Sequence, residues 1–271
     1  MTRQQAISSF ARSGFMSSKF FSFLLALLLI CQTAFAAIDF DGTDDSINLA
    51  DTLDDLGSQS MSMWVYLDDT NANKRFYAKE GGGGFKGWQV INDTLLKMAW
   101  ASDCTTADLV VTSASGTLST GNWLHIGFSW DGACDPAGTH LYLNGVEVSY
   151  LSTAGSGSSG GSDAALTAHI GNRSDDARCL NGKISDFAVW TSELTAAEFL
   201  QLGKSRVRRI PLQIQPSNLK AYLPLDDMPD GTSADGDVHR DESGNGTTGT
   251  GDNGANNTGL TAKAEEVLSY P

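Results

Sequence analysis

The octapeptide Trp123-Leu124-His125-Ile126-Gly127-Phe128-Ser129-Trp130 decides the fold class. Leu124, Ile126, Phe128 and Trp130 recur at every second position and so share one face of an extended chain, a pattern that a helical repeat of 3.6 residues cannot produce. The segment reads as a strand at the centre of a sandwich. Upstream, Met61-Ser62-Met63-Trp64-Val65-Tyr66-Leu67 alternates in the same way, with Trp64 and Tyr66 opposite the other apolar residues, so both of its faces are partly covered. Downstream, Leu141 to Val148 reads as a hairpin, because Asn144-Gly145 can take the two positive φ angles of a tight type I′ turn. Lys183 to Trp190 is a further strand. It runs into one short helix opened by a Thr195/Glu198 capping box, with Leu200 and Leu202 as apolar contacts and Gly203 at the place of a left-handed stop. Glu80 to Gly87 and Thr153 to Ser162 read as glycine-rich loops. These elements predict an all-β fold of two packed antiparallel sheets.

The chain has 271 residues, 32 acidic against 18 basic, for a formal charge of -14. That balance excludes a phosphate-tracking surface for nucleic acid and suits cations, neutral sugars or other proteins. Residues 1–36 hold Arg3, Arg12 and Lys19 but no acid, then an apolar run from Phe20 to Cys31 and the small-x-small ending Ala34-Phe35-Ala36. They read as a signal peptide cut after Ala36, since the run is too short to span a bilayer. The expected product is secreted, extracellular or periplasmic, with no membrane insertion after cleavage. Three cysteines then remain, allowing at most one internal disulfide. Cys104 with Cys134 is the preferred pair, each ending a strand in the same half of the domain; Cys134 with Cys179 stays open. After Lys204 the character changes, with the basic run Arg206-Val207-Arg208-Arg209 and an apolar strand from Leu219 to Leu225. Residues 37–205 are expected to form the main domain, and 206–271 an extension adding a strand and Gly/Asp/Asn-rich loops to the same sandwich.

Ile38-Asp39-Phe40-Asp41-Gly42-Thr43-Asp44-Asp45-Ser46-Ile47, the Met61–Tyr66 strand, Trp123-Leu124-His125-Ile126 and Leu141-Tyr142-Leu143-Asn144-Gly145 follow one another in a familiar order. Ile170-Gly171, Leu180 to Trp190 and Leu194 to Leu202 continue it. Together they resemble the laminin-G-like, concanavalin A-like lectin/glucanase jelly-roll family, which is also similar to pentraxins. The resemblance implies a two-sheet jelly roll with a lectin-like binding role. Some members of that family use calcium, and here Asp41, Asp44 and Asp45 crowd the first loop, with Glu80 and Asp163 as distal candidates. The same Asp-Gly and Asp-Asp pairs also make turns by bonding their own backbone.

Glycoside hydrolysis needs two carboxylates flanking the scissile bond, and the family's glucanases carry them at alternate positions of one strand. No such pattern occurs, and Glu147 stands alone on its strand. His125, His140 and His169 lie on strands with no nucleophile motif nearby, and read as packed residues rather than catalytic bases. Trp64, Trp123, Trp130 and Trp190 are assigned to the core, while Trp88, Trp100 and Tyr77 are candidate aromatic planes for a sugar. The expectation is a non-catalytic, lectin-like protein that binds extracellular glycan or a cell-surface protein, with calcium as a candidate cofactor. The alternatives are a structural adhesion module and a degenerate glycoside hydrolase. Asn92, Asn172, Asn245 and Asn256 head glycosylation sequons.

Overall fold

The computed structural model describes residues 36–49, 53–71, 73–81, 84–91, 94–101, 104, 106–158, 161–204, 210–228, 232–252 and 261–264. Residues 1–35, with the expected signal peptide, and the basic run at 206–209 lie outside them. In chain order the strands are β1 (Ala36–Asp41), β2 (Ser46–Asn48), β3 (Gln59–Leu67), β4 (Lys74–Gly81), β5 (Gly84–Ile91) and β6 (Leu95–Ala101). Then come β7 (Ala107–Ser113), β8 (Trp123–Trp130), β9 (Thr139–Leu143), β10 (Val146–Glu147), β11 (Tyr150–Ser156), β12 (Ala168–Ile170) and β13 (Asn181–Trp190). The helix α1 (Ala196–Lys204) precedes β14 (Leu219–Leu223), β15 (Val238–His239), β16 (Gly249–Asp252) and β17 (Thr261–Ala264).

The strands form two antiparallel sheets. The first has the order β10-β9-β8-β3-β13-β1-β17, with β14 also on β13, and the second runs β11-β7-β6-β5-β4-β12-β2-β16-β15. As the alternation requires, β8 lies inside the first sheet between β3 and β9, and all eight of its residues are buried. Leu124, Ile126, Phe128 and Trp130 enter the core between the sheets with Met61, Met63, Val65 and Leu67 of β3. Trp64 and His125 meet edge to face on the outer side, with ring centroids 5.3 Å apart.

Helix α1 covers part of that outer side: Phe199 stacks on Tyr142 at 3.9 Å, and Leu202 joins Trp190 and Tyr222. The capping box forms, the Glu198 N–H donating to Thr195 Oγ1 and the Thr195 N–H to Glu198 Oε2. The hairpin turn also forms, with φ of 51° at Asn144 and 78° at Gly145. Gly203 corrects the expectation of a left-handed stop, since it lies within the helix. It is needed because the hairpin turn abuts it: a Cβ there would sit 2.3 Å from the Gly145 nitrogen.

The two glycine-rich loops are also corrected. β4 and β5 pair from Lys74/Val90 to Gly81/Gly84, and β11 runs along β7 as far as Ser156. Backbone pairing needs no side chain, so glycine and serine runs are drawn into ladders by their neighbours. In the extension, β14 pairs with β13 and β16 with β2, so both sheets gain a strand from it. Asp186 has a φ of 54° at a register shift in β13, and it accepts the Tyr222 hydroxyl at 2.7 Å. Trp190 donates its Nε1–H to the Ile214 carbonyl at 2.8 Å. No helix of the described residues is long and apolar enough to cross a membrane.

Candidate functional site

In the acidic first loop, the carboxylates serve the backbone. Asp41 Oδ1 accepts the Thr43 N–H at 2.7 Å and Asp45 Oδ2 accepts the Asp41 N–H at 2.8 Å. Asp45 is fully buried, and its Oδ1 has no hydrogen-bond partner. Burial pushes its pKa up to about 7 against the favourable Asp41 N–H, and the charges of Asp41, Asp44 and Asp39 add to the rise. The group that comes together there is Asp41, Asp45 and the thiol of Cys179, not Asp41, Asp44 and Asp45. Burial, then the Asp45 charge, raises that thiol to about 12. This donor set does not fit calcium, which takes six to eight oxygens. The distal candidates are occupied as well. Asp163 pairs with buried Lys79 at 3.4 Å and accepts the Asp55 N–H, while Glu80 is held between two arginines.

A raised carboxyl has a sign that can be tested. With a folded pKa near 7 against 3.8 unperturbed, the native state holds a proton that the unfolded chain releases first. Stability therefore falls as pH rises from about 4 to about 7, by an amount of order 2–4 kcal/mol. Asp45→Asn should flatten this slope and melt above the parent at pH 8. Thermal melts at pH 5 and 8 check it, and an unchanged slope in the variant would reject the assignment.

The expected aromatic planes are corrected. Tyr77 and Trp100 are 4% and 3% exposed and belong to the core between the sheets. Tyr77 stacks on Phe187 at 5.9 Å, and Trp100 packs against Phe128 at 5.7 Å and Trp130 at 5.1 Å, so neither ring offers a face to a ligand. The register shift between Arg75 and Tyr77 lets successive Phe76 and Tyr77 both enter the core, which strict alternation forbids. Trp88 stands opposite Tyr77 and Met98 in the ladder, and its side chain lies outside the described residues. Cys104 and Cys134 form the disulfide, with sulfurs 2.01 Å apart, and Cys179 is free and buried.

What the sequence reading missed is the outer face of the second sheet. Leu96, Met98 and Trp100 point into the core, so Lys97 and Ala99 project outward, as does His169 between core residues Ala168 and Ile170. One register row runs Asn48, His169, Ala78, Gly87, Ala99, Val110. The adjoining row runs Arg75, Gln89, Lys97, Thr112. Small residues thus line the sheet beside a polar row that holds Arg75 and Lys97. Arg75 Nε donates to Glu80 Oε1 at 3.0 Å and Arg173 Nη1 to Glu80 Oε2 at 3.2 Å, while Arg173 also pairs with Asp175. The 172–178 loop docks onto β4 through the Arg75 N–H, which donates to the Arg178 carbonyl at 3.0 Å.

Three further titratable groups among the described residues are His125, His169 and Glu147. Burial holds His125 down at about 3, so it stays neutral. Burial also lowers His169, with Asp252 opposing. Glu147 accepts the Tyr150 hydroxyl at 2.7 Å and lies 2.8 Å from His140 Nδ1. Burial works to raise Glu147, and those two hydrogen bonds outweigh it, so its carboxyl stays below the ordinary range and makes a poor general acid.

A family model described as the concanavalin A-like lectin/glucanases superfamily matches residues 41–199. The chain belongs to that superfamily. No curated protein matches it by sequence. Among solved structures, the fold is similar to that of a protein of Bacteroides ovatus provisionally described as carbohydrate-binding. That similarity has a TM-score of 0.57 at 18% identity, over 86% of this chain and 61% of that one. A heptameric SAP-like pentraxin from Limulus polyphemus matches at 0.46 and 14%, over 65% of this chain and 85% of that one. A CBM40 module of the Ruminococcus gnavus IT-sialidase, bound to α2,3 sialyllactose, matches at 0.47 and 12%, over 62% and 95%.

Proposed function

We propose that this superfamily member is an exported, non-catalytic protein that binds glycan on the outer face of its second sheet. The observation that carries the reading is the row Ala78, Gly87, Ala99, whose small residues lower the sheet surface beside the partly exposed Lys97 and Glu80. The outer face of the first sheet is partly covered by α1 and by Ile210, Leu212 and Ile214, which leaves the second sheet's outer face as the candidate surface. Membership of a lectin/glucanase superfamily supports a sugar as the ligand. The Cys104–Cys134 disulfide supports an oxidising compartment, in keeping with export. Calcium has no step in the proposal, because the loop's donor set is two carboxylates and a thiol.

Glycan-array binding with and without a calcium chelator tests the reading. Binding that survives the chelator is the expected result, together with no release of reducing sugar by the parent or by Glu147→Gln. Binding lost with the chelator would restore calcium to the site. No binding in either condition would leave protein adhesion as the function.

A further inference from the structure

Three separate points of the chain converge at the first loop. Asp41 ends β1, Asp45 immediately precedes β2, and Cys179 lies two residues before β13. Each offers one donor atom, two carboxylate oxygens and a sulfur, and the three atoms lie within 4.8 Å of one another. Local geometry fixes the approach. Gly42 turns the chain at a φ of 85°, and the β1–β13 ladder pairs Asp41 with Asn181, which carries Cys179 to the loop.

Hydrogen bonding inside the loop leaves this donor set incomplete. Asp45 is fully buried; its Oδ2 accepts the Asp41 N–H at 2.8 Å, and its Oδ1 has no partner. A buried oxygen in that state has lost its hydration without replacement, so a ligand that satisfies it is favoured. The Thr43 N–H that Asp41 Oδ1 accepts does not exhaust that carboxylate, because each oxygen has two lone pairs and metal-holding carboxylates are themselves hydrogen-bonded. The Cys179 sulfur lies 3.3 Å from the Asp45 carbonyl and 3.2 Å from that of Leu180, and its single proton can serve one of them. Lys74 donates to the Gly42 carbonyl at 3.0 Å, so its positive charge borders a loop that holds Asp39, Asp41, Asp44 and Asp45.

We propose that Asp41, Asp45 and Cys179 form a zinc site, an inference independent of the glycan reading. One thiolate with two carboxylates suits a borderline divalent ion, and three protein ligands with a water in the fourth position is a coordination that zinc adopts. Asp41 is exposed, which gives the ion a way in and the water a way to solvent. Bonds of about 2.0–2.3 Å draw the three atoms closer than they now stand, a small inward movement that the exposed Asp41 supplies. The ion replaces the thiol proton, which leaves to solvent as the zinc–sulfur bond forms. Bound there, it ties the β1 and β13 ends of the first sheet to the start of β2 in the second, so its effect is on stability.

The test uses the full chain, stripped with chelator, at pH 8. Equimolar Co2+ should give the near-ultraviolet absorption of a cobalt–thiolate bond, and Zn2+ should remove that band by displacement. Zinc at about a hundred times its dissociation constant should raise the melting temperature by roughly 5–10 °C, and calcium at the same concentration should leave it unchanged. Cys179→Ser should lose the cobalt band and bind zinc at least about tenfold more weakly. Asp45→Asn, which should melt above the metal-free parent at this pH, should weaken zinc in the same direction. Metal-free melting curves establish that each variant folds. A parent without the band, a band that survives Cys179→Ser, or equal stabilisation by calcium would overturn the proposal, and the first of these needs no variant.

Discussion

Ending the chain at Lys204 should abolish the folded state. The cut removes β14 from β13 and takes Leu219, Ala221, Tyr222, Leu223 and Leu225, all buried, out of the interior. It uncovers Trp190, now fully buried, and strips the Ile214 carbonyl from its indole N–H. Each large apolar side chain contributes roughly 1.5–3 kcal/mol on burial, so the four large ones together, about 6–12 kcal/mol, match the roughly 5–15 kcal/mol that typically separates native from unfolded protein. β16 and the edge strand β15 go too, baring β2. Gel filtration and a circular-dichroism melt of the truncated protein check this. A soluble monomer with the parent's melting temperature would show that residues 206–271 are not part of the sandwich.

The second large effect concerns the disulfide. Cys104 follows β6 of the second sheet and Cys134 follows β8 of the first, so the bond ties one sheet to the other. The bridge spans a sequence separation of 30, for which loop-closure entropy gives about 3–4 kcal/mol of stabilisation. Replacing both cysteines by alanine should lower the melting temperature by roughly 6–15 °C for a domain of this size. Reducing the parent should reproduce the loss, and Cys179→Ala should leave the bond intact. A parent that melts identically with and without reductant would rule the bridge out.

How much of this was legible in the sequence varied with the source of the signal. β3, β8 and the Asn144-Gly145 turn were readable because strict alternation and a two-residue turn are local facts, and each formed where the pattern put it. The preferred cysteine pair formed as well. β5 and β11 were hidden because glycine and serine carry no face preference, and their pairing comes from neighbours in space. Tyr77 and Trp100 were misjudged for a related reason: a short strand's sequence shows which residues alternate, not which side of the sheet is inside. The bulge at Arg75–Tyr77 defeats even the alternation. The cluster of Arg75, Glu80 and Arg173 was invisible because Arg173 is far from the other two in the chain and meets them through one docked loop. Gly203 illustrates the opposite case, a glycine whose position suggested a local conformational role and whose cause is a tertiary contact with the hairpin.

Hydrogen–deuterium exchange of the full chain, with and without a saturating glycan identified on the array, tests the binding face most directly. Ligand-dependent protection is expected in β4, β6 and the 172–178 loop, with α1 and the hairpin at Asn144-Gly145 unchanged. Protection confined to the acidic loop at 41–48, or to the α1 side of the first sheet, would contradict the account.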